Sequence, residues 1–169
     1  MPAFPSRWVG LLVLLTGCAG YQLGPTNGIE AGSRTIRVAY FENGTMQPRL
    51  SEDVAHAMRK QLQQDGTYRL ATRGEPDVMV TGRLLRFERV SVSYQPTDTR
   101  TTRDEEVRLL ARVVARDTRT GRSLLDREVV ARVTVRLEDN QTSAERQAMP
   151  LLAADLATKA VPLIVDGEW

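Results

Sequence analysis

Cysteine and histidine, the side chains best suited to nucleophilic and acid–base chemistry near neutral pH, are scarce in this 169-residue sequence. It contains one cysteine, Cys18, and one histidine, His56. A single cysteine excludes an internal disulfide, and one cysteine with one histidine supplies too few ligands for a Cys/His zinc site. His56 falls on the polar side of a predicted helix, and no serine stands in a G-x-S-x-G arrangement. The sequence therefore predicts no catalytic site, no metal and no cofactor, and we expect the protein not to be an enzyme.

Cys18 stands at the end of an N-terminal export signal. The basic Arg7 precedes an apolar stretch, Trp8–Leu15, which reaches about 12 Å as a helix and is too short to span a bilayer of about 30 Å. Residues 15–18, Leu-Thr-Gly-Cys, resemble the bacterial lipobox, in which the cysteine sulfur is acylated and becomes the first mature residue. The sequence thus predicts a lipid anchor on Cys18. The alternative is a plain signal peptide with an incidental cysteine.

This interpretation divides the chain into three parts. We expect residues 1–17 to be a lipoprotein signal peptide, residues 18–33 a lipidated tether, and residues 34–169 a single domain. Acyl chains on Cys18 would hold the domain at a membrane. Because alanine rather than aspartate follows the cysteine, the resemblance to enteric sorting rules points to the outer membrane, with the anchor facing the periplasm.

Arginine is the second chemically distinctive residue type. Only two of the 23 basic residues are lysines, and the formal net charge is +2. Planar guanidinium groups favour bidentate contacts with carboxylates or phosphates. Aromatic residues make up 5% of the chain, too few for a base-stacking surface, so no nucleic-acid partner is expected.

Alternation along two predicted strands brings several arginines to one face. Arg108, Arg112 and Arg116 share the even-numbered face of one strand, and Arg132 and Arg136 share that of its partner. Arg83 and Arg86 belong to the preceding strand. The candidate contacts for glycolipid phosphates are Arg108, Arg112, Arg132 and Arg136. The alternative is a solvated sheet face blunted by charge, with Glu128 neutralising Arg112.

Hydrophobic spacing predicts the elements of the first half of the chain. Residues 34–41 alternate as a strand, with Ile36, Val38 and Tyr40 on one side. Pro48 can open a helix that stops at Asp65-Gly66. A short strand follows over 67–72. A long strand over 77–94 slips in phase near Leu84 and Leu85, which indicates a bulge or a strong twist. Residues 95–104 read as a polar loop.

The next two strands are predicted to form a hairpin whose register follows from parity. Both apolar sets are odd-numbered, so a three-residue loop over 119–121, with 118 opposite 122, keeps them on one face. Gly121 would take the left-handed position of that loop. The register sets Val107 opposite Val133, Ala111 opposite Val129 and Arg112 opposite Glu128, and leaves Arg127 on the apolar face near the hairpin end.

A second helix completes the predicted fold. Thr142 and Glu145 resemble a capping box, Met149, Leu152, Leu156 and Ala160 form one stripe, and Pro162 should end the helix. The predicted fold class is α+β: a mixed, mostly antiparallel four- to five-stranded sheet with two helices packed on one face, in the order β-α-β-β-β-β-α.

The order of short motifs resembles the LPS-assembly lipoprotein LptE family. After the lipidated cysteine come Gly-Tyr-Gln-Leu at 20–23, Phe-Glu-Asn-Gly-Thr at 41–45, Gly-Thr-Tyr-Arg-Leu at 66–70 and Asp-Val-Met-Val-Thr-Gly at 77–82. The resemblance covers essentially the whole mature chain. Each motif is weak alone, and their order gives the signal.

The resemblance implies a non-enzymatic plug and assembly partner of the outer-membrane β-barrel LptD, which helps deliver lipopolysaccharide to the cell surface. The expected partners are therefore an LptD-like barrel, lipopolysaccharide, and the outer membrane through the acyl chains on Cys18. A periplasmic lipoprotein of the CsgG-like or peptidoglycan-synthase-activator type, acting as a protein-binding module, is the alternative.

Overall fold

The computed structural model of the protein describes the backbone of residues 30–95, 98–136 and 141–166 and, outside 91–103 and 136–145, their side chains. Two helices are seen, α1 over Leu50–Asp65 and α2 over Gln141–Val165. The strands are β1 (Arg34–Val38), β2 (Glu42–Asn43), β3 (Tyr68–Leu70), β4 (Val78–Gln95), β5 (Asp98–Asp117) and β6 (Ser123–Arg136).

These strands form one mixed sheet in the order β3-β1-β4-β5-β6, and the short β2 pairs with β4 beyond the end of β1. β1 runs parallel to β3 and β4, whereas β4, β5 and β6 are antiparallel. The α+β class with a mixed, mostly antiparallel sheet and two helices is confirmed.

The hydrophobic core lies between the sheet and the two helices. Alternate residues of β5 are fully or almost fully buried, as the period-2 pattern predicted: Val107, Leu109, Ala111, Val113 and Ala115. The helices supply the other side of this core through Leu50, Val54, Met58 and Leu62 of α1 and Leu152, Leu156 and Ala160 of α2.

The ends of α1 are set by two residues in left-handed conformation. Gly66 (φ 79°) stops the helix as expected, and its N–H donates to the carbonyl of Leu62 at 3.1 Å. At the start, Arg49 (φ 65°) separates Pro48 from the first helical residue, Leu50. The prediction that Pro48 opens the helix is therefore wrong, because the left-handed conformation of Arg49 interrupts the helical backbone between them.

β1 is shorter than predicted. Ile36 and Val38 are buried, but the strand stops at Val38, and Tyr40 is 65% exposed while its neighbour Phe41 is fully buried. The expected inward position of Tyr40 is wrong because alternation ends with the strand. Phe41 packs instead against Gly82 on β4.

The β4–β5 hairpin is longer than predicted. The expected bulge occurs between Leu84 and Arg86. The prediction of a polar loop over 95–104 is wrong for most of that range, because β5 already begins at Asp98. β5 pairs with β4 across three further shifts in register. The backbone of this polar, threonine-rich segment pairs as a strand although its sequence lacks apolar alternation, since threonine is itself favoured in strands.

The β5–β6 register is confirmed at all three predicted pairs, and Gly121 has the predicted positive φ (69°). The turn itself differs. The register shifts by one residue so that Arg116 pairs with Ser123, and the loop runs over 118–122 rather than 119–121. The carboxylate of Asp117 holds this longer loop by accepting the N–H and hydroxyl of Thr120 at 2.8 and 2.9 Å.

α2 does not end at Pro162 but continues to Val165. The proline side chain is exposed, while Ile164 and Val165 beyond it are buried, so core contacts favour one more turn. The predicted capping box lies outside the described side chains. By length and composition Arg146–Val165 could cross a membrane, but more than half of its most apolar window is buried, and we interpret α2 as a core helix.

Candidate functional site

The sheet face opposite the helices carries the predicted arginines. Since the odd-numbered residues of β5 point into the core, the even-numbered ones point outward, among them Arg108, Arg112 and Arg116. On β6, Arg132 lies directly opposite Arg108, and the backbone of Arg136 lies opposite Asp104. The side chain of Arg136 is outside the described part of the structure.

A third strand, β4, also contributes arginines to this surface, and its bulge determines which of its residues face outward. Before it, Arg83 pairs with Arg112, and after it, Arg86 pairs with Leu110. The extra residue of the bulge changes the outward-facing positions of β4 from odd-numbered to even-numbered. Arg83 and Arg86 therefore share the outer face.

Three of these arginines surround one shallow depression on the outer face, which we call the arginine depression. It encloses about 210 Å³ and is lined by Arg86, Arg108 and Arg132, with Glu88 and the apolar side chains of Leu110 and Val130. Two neighbouring rows of the sheet build it: Arg86, Leu110 and Val130, then Glu88, Arg108 and Arg132. Val130 is 38% exposed. Guanidinium groups therefore stand beside an apolar floor.

The three guanidinium groups are not equally neutralised. Arg108 is ion-paired with Glu106, and Arg86 Nη1 lies 3.5 Å from Glu88 Oε1. No described side chain forms an ion pair with the exposed Arg132, whose backbone N–H donates to Asp155 at 2.8 Å. Arg132 thus supplies the excess positive charge of the arginine depression.

Arg112 has a different environment from the other candidates. It donates two hydrogen bonds, at 2.6 and 2.7 Å, to the carboxylate of Asp126, and these raise the pKa of Arg112 and lower that of Asp126. Glu128, the expected partner, is opposite Arg112 in the register but only adds to the local field. Asp126, the diagonal neighbour of Arg112, forms the ion pair instead, and its two carboxylate oxygens accept from Nε and Nη2 of the guanidinium.

Sequence reasoning missed the floor of the depression and the Asp126 partner. Leu110 and Val130 occupy even-numbered positions in strands whose buried set is odd-numbered. Neighbouring apolar residues among the arginines of a largely charged face were the available signal. No sequence signal pointed to Asp126, because its approach to Arg112 depends on side-chain geometry.

His56 is exposed on α1. Among the residues that the structure describes, no group of three or more His, Cys, Asp or Glu side chains could hold a metal ion.

Solved structures of similar fold place the domain among small bacterial α+β proteins that include lipoproteins. A protein from Xanthomonas campestris superposes with a TM-score of 0.61 at 12% identity, over 85% of this chain and 90% of that one. A minor lipoprotein from Acinetobacter baumannii gives 0.51 at 15% identity, over 79% and 93%, and a protein from Chlamydia trachomatis gives 0.55 at 8% identity, over 78% and 95%. No curated protein matches the sequence.

Within that class the sequence identifies the family. Residues 33–165 match the family model "LptE: Lipopolysaccharide-assembly". The chain belongs to the LptE family of lipopolysaccharide-assembly lipoproteins, which are non-enzymatic.

Proposed function

We propose that this protein is an outer-membrane lipoprotein that acts without catalysis as the plug and assembly partner of an LptD-like β-barrel, and that its outer sheet face contacts lipopolysaccharide. Family membership supports the partnership. The observation that carries the glycolipid contact is the arginine depression, because its guanidinium groups and apolar floor suit a phosphorylated amphiphile.

We expect the arginines of this surface to differ in how strongly they contact phosphate, because some guanidinium groups already form ion pairs within the domain. Arg132 has no ion-pair partner among the described side chains, so it gains a phosphate contact without losing another. Arg108 and Arg86 already have carboxylate neighbours. Arg112 must give up a bidentate pair with Asp126, and we expect it to contribute less. Arg136 remains a candidate from its place on β6.

The proposed anchor is the acylated Cys18, which would leave residues 1–17 as the removed signal and residues 18–33 as the tether of the domain that begins at residue 34. Two or more acyl chains hold a protein firmly on a bilayer. The protein would then face the periplasm from the inner leaflet of the outer membrane.

Affinity purification of the full-length lipoprotein from detergent-solubilised outer membrane tests the partnership. We expect a large β-barrel protein to be recovered with it in a fixed ratio. Recovery of a peptidoglycan synthase, or of a homo-oligomeric ring without a barrel, would contradict the proposal and favour the protein-binding alternative.

Binding of the purified protein to lipopolysaccharide micelles tests the arginine depression. Arg132→Glu with Arg108→Glu should weaken binding at least tenfold, and added salt should weaken the binding of the unsubstituted protein. Arg119→Glu with Arg122→Glu, in the exposed β5–β6 loop, changes the net charge by the same amount. If this control weakens binding equally, the contact is only a general charge effect.

A further inference from the structure

A groove lies beside the last turn of α2, at the end of the sheet that carries the β5–β6 loop. It encloses about 620 Å³ and is lined by residues 124–127 of β6 and by Pro162, Leu163 and Asp166. We call it the α2–β6 groove. Leu163 is 41% exposed there, and Leu124 is half-buried. The groove therefore presents a partly exposed apolar wall.

Arg127 gives this groove a positive charge. It follows Leu125 by two positions on β6, so both side chains leave the strand on the side of the helices. Val113, its partner across the sheet, is fully buried, whereas Arg127 is exposed. No described side chain forms an ion pair with Arg127. An apolar wall and a guanidinium group thus stand together in the groove, and they suit an occupant with an apolar ring and an acidic group.

The chain itself carries such a segment next to the groove. The structure describes the chain as far as Asp166, which lines the groove, and the sequence continues with Gly167, Glu168 and Trp169. Three residues reach at most about 10 Å, so this segment stays close to the groove. A glycine just past the end of a helix favours a turn back across that end.

We infer that residues 167–169 dock into the α2–β6 groove. The indole of Trp169 packs on Leu163 and removes a large apolar area from water. The carboxylate of Glu168 pairs with the guanidinium of Arg127. Because the segment is joined to the rim of the groove, the contact is intramolecular, and even a weak interaction keeps it bound. The inference is independent of the proposed function.

Other occupants fit the groove less well. Residues 18–29 lead into β1, which is three strands from β6, a separation of about 14 Å. They also contain no acidic residue to match Arg127. A second copy of the chain needs about 800 Å² of surface on each partner, which a groove of about 620 Å³ does not supply by itself.

Quenching of tryptophan fluorescence by acrylamide tests the docking. Trp8 and Trp169 are the two tryptophans of the sequence, so Trp8→Phe in the full-length lipoprotein leaves Trp169 as the single fluorophore. We expect acrylamide to quench Trp169 about threefold less in the folded protein than in denaturing urea, because a packed indole is shielded. Equal quenching in the two states would overturn the inference.

Two leucines of α2 provide matched variants in this Trp8→Phe background. Leu163→Ser removes the apolar wall of the groove and should bring the quenching of Trp169 close to its value in urea. Leu151→Ser, at a 56% exposed position outside the groove, should leave the quenching unchanged. Circular dichroism and the thermal midpoint check that both variants fold. Equal effects of the two substitutions would overturn the inference.

Arg127→Gln and Glu168→Gln test the ion pair without altering the core. Each should raise the quenching of Trp169 about twofold rather than abolish the shielding, because an exposed pair contributes little. The double variant should raise it no further, since either substitution already removes the pair. Arg119→Gln, in the exposed β5–β6 loop, is the control for the change in charge. Additive effects, or an equal effect of Arg119→Gln, would overturn the pairing.

Two further measurements identify a different occupant. In micelles of brominated dodecyl maltoside, strong quenching of Trp169 by the bromine atoms would place the indole in the detergent. Loss of shielding on dilution of the protein would place it against a second copy of the chain. Either result overturns the inference, whereas recovery of a barrel partner is unaffected by it.

Discussion

Gly82 shows how a single residue joins two of the family-like motifs. It lies in β4 opposite Val113, where the ring of Phe41 packs directly over the backbone. A Cβ atom at this position would lie 2.2 and 2.5 Å from two ring carbons of Phe41 and 2.7 Å from the carbonyl oxygen of Arg112. The glycine ending the 77–82 motif and the phenylalanine beginning the 41–45 motif are therefore parts of one packing contact.

Gly82→Ala should consequently destabilise the fold. Neither the strand backbone nor the fully buried ring can move freely, and overpacking of this kind costs about 1–3 kcal/mol. Urea denaturation measures the loss. In a Phe41→Leu background the clash is relieved, so the alanine should cost less there than in the natural chain. Additive losses in the double variant would contradict this account.

Asp77 connects the start of β4 to Thr35, near the start of β1. Its carboxylate accepts the backbone N–H and the hydroxyl of Thr35, both at 2.7 Å. These hydrogen bonds favour the charged form and lower the pKa of Asp77. The pKa of Asp117 is lowered too, first by the backbone N–H of Thr120.

Stability should therefore depend on these carboxylates at low pH. Because their pKa is lower in the folded state, their contribution is fully present above the ordinary value of 3.8 and is lost as the pH falls through the folded value. The free energy of unfolding should decline below about pH 4. Asp77→Asn and Thr35→Val should each make that decline shallower in urea titrations between pH 5 and 2. An unchanged slope in both variants would contradict the linkage.

At the scale of elements, α2 protects the edge strand of the sheet. The Asp155–Lys159 pair bonds the outward backbone groups of Val130 and Arg132 on β6. Unpaired edges are a route to aggregation, and proteins often cover them. Here one helix both fills the core and covers the edge.

Lys159→Met keeps the apolar length of the side chain but removes its bond to the β6 edge. We expect a stability loss of about 1 kcal/mol or less, because the pair is partly exposed. Concentration-dependent association by light scattering should rise more clearly than stability falls. Lys60→Met, at an exposed position of α1, is the matched control. Equal association in the two variants would show that the edge needs no cover.

Elements with a buried face could be predicted from the sequence, because burial imposes a period. The odd-numbered apolar residues of β5 and β6 determined both the inward face and the hairpin register, and Gly121 followed from parity. Where the sequence lacks apolar alternation, or where a proline interrupts it, the prediction failed. The polar start of β5 predicts a loop, but the backbone is a strand from Asp98. Pro162 predicts the end of α2, but the proline lies outward and Ile164 remains in the core, so the helix continues to Val165.

The candidate site was predictable to the same degree. Alternation placed Arg108, Arg112 and Arg132 on one face. It could not say that Asp126 would engage Arg112. Nor could it say that Arg132 would have no ion-pair partner among the described side chains, because both outcomes depend on rotamers rather than on sequence period.

At the scale of the whole molecule, the sheet has two distinct ends. The described chain enters beside the β5–β6 loop, where Arg34 lies 2.5 Å from Asp117. The last described pair of β4 and β5, Gln95 and Asp98, lies at the opposite end, and β4 alone spans 18 residues, about 56 Å at the usual rise of a strand. An anchor on Cys18 would attach the domain at the start of β1 and leave the Gln95–Asp98 end of β4 and β5 far from the attachment point.

Cys18→Ala should release the protein from the membrane without altering its fold. The substituted residue precedes the family-matched segment 33–165, so circular dichroism and the thermal midpoint should be unchanged. The protein should move from the membrane fraction to the soluble periplasm when it is expressed in excess over any barrel partner, since under the proposed function only the acyl chains would hold it there. Ala19→Asp is the matched control, because by the enteric rule it keeps the acyl chains but retains the protein at the inner membrane. If Cys18→Ala still sediments with the outer membrane, the anchor is not on this cysteine, whereas normal outer-membrane sorting of Ala19→Asp would contradict only the sorting rule.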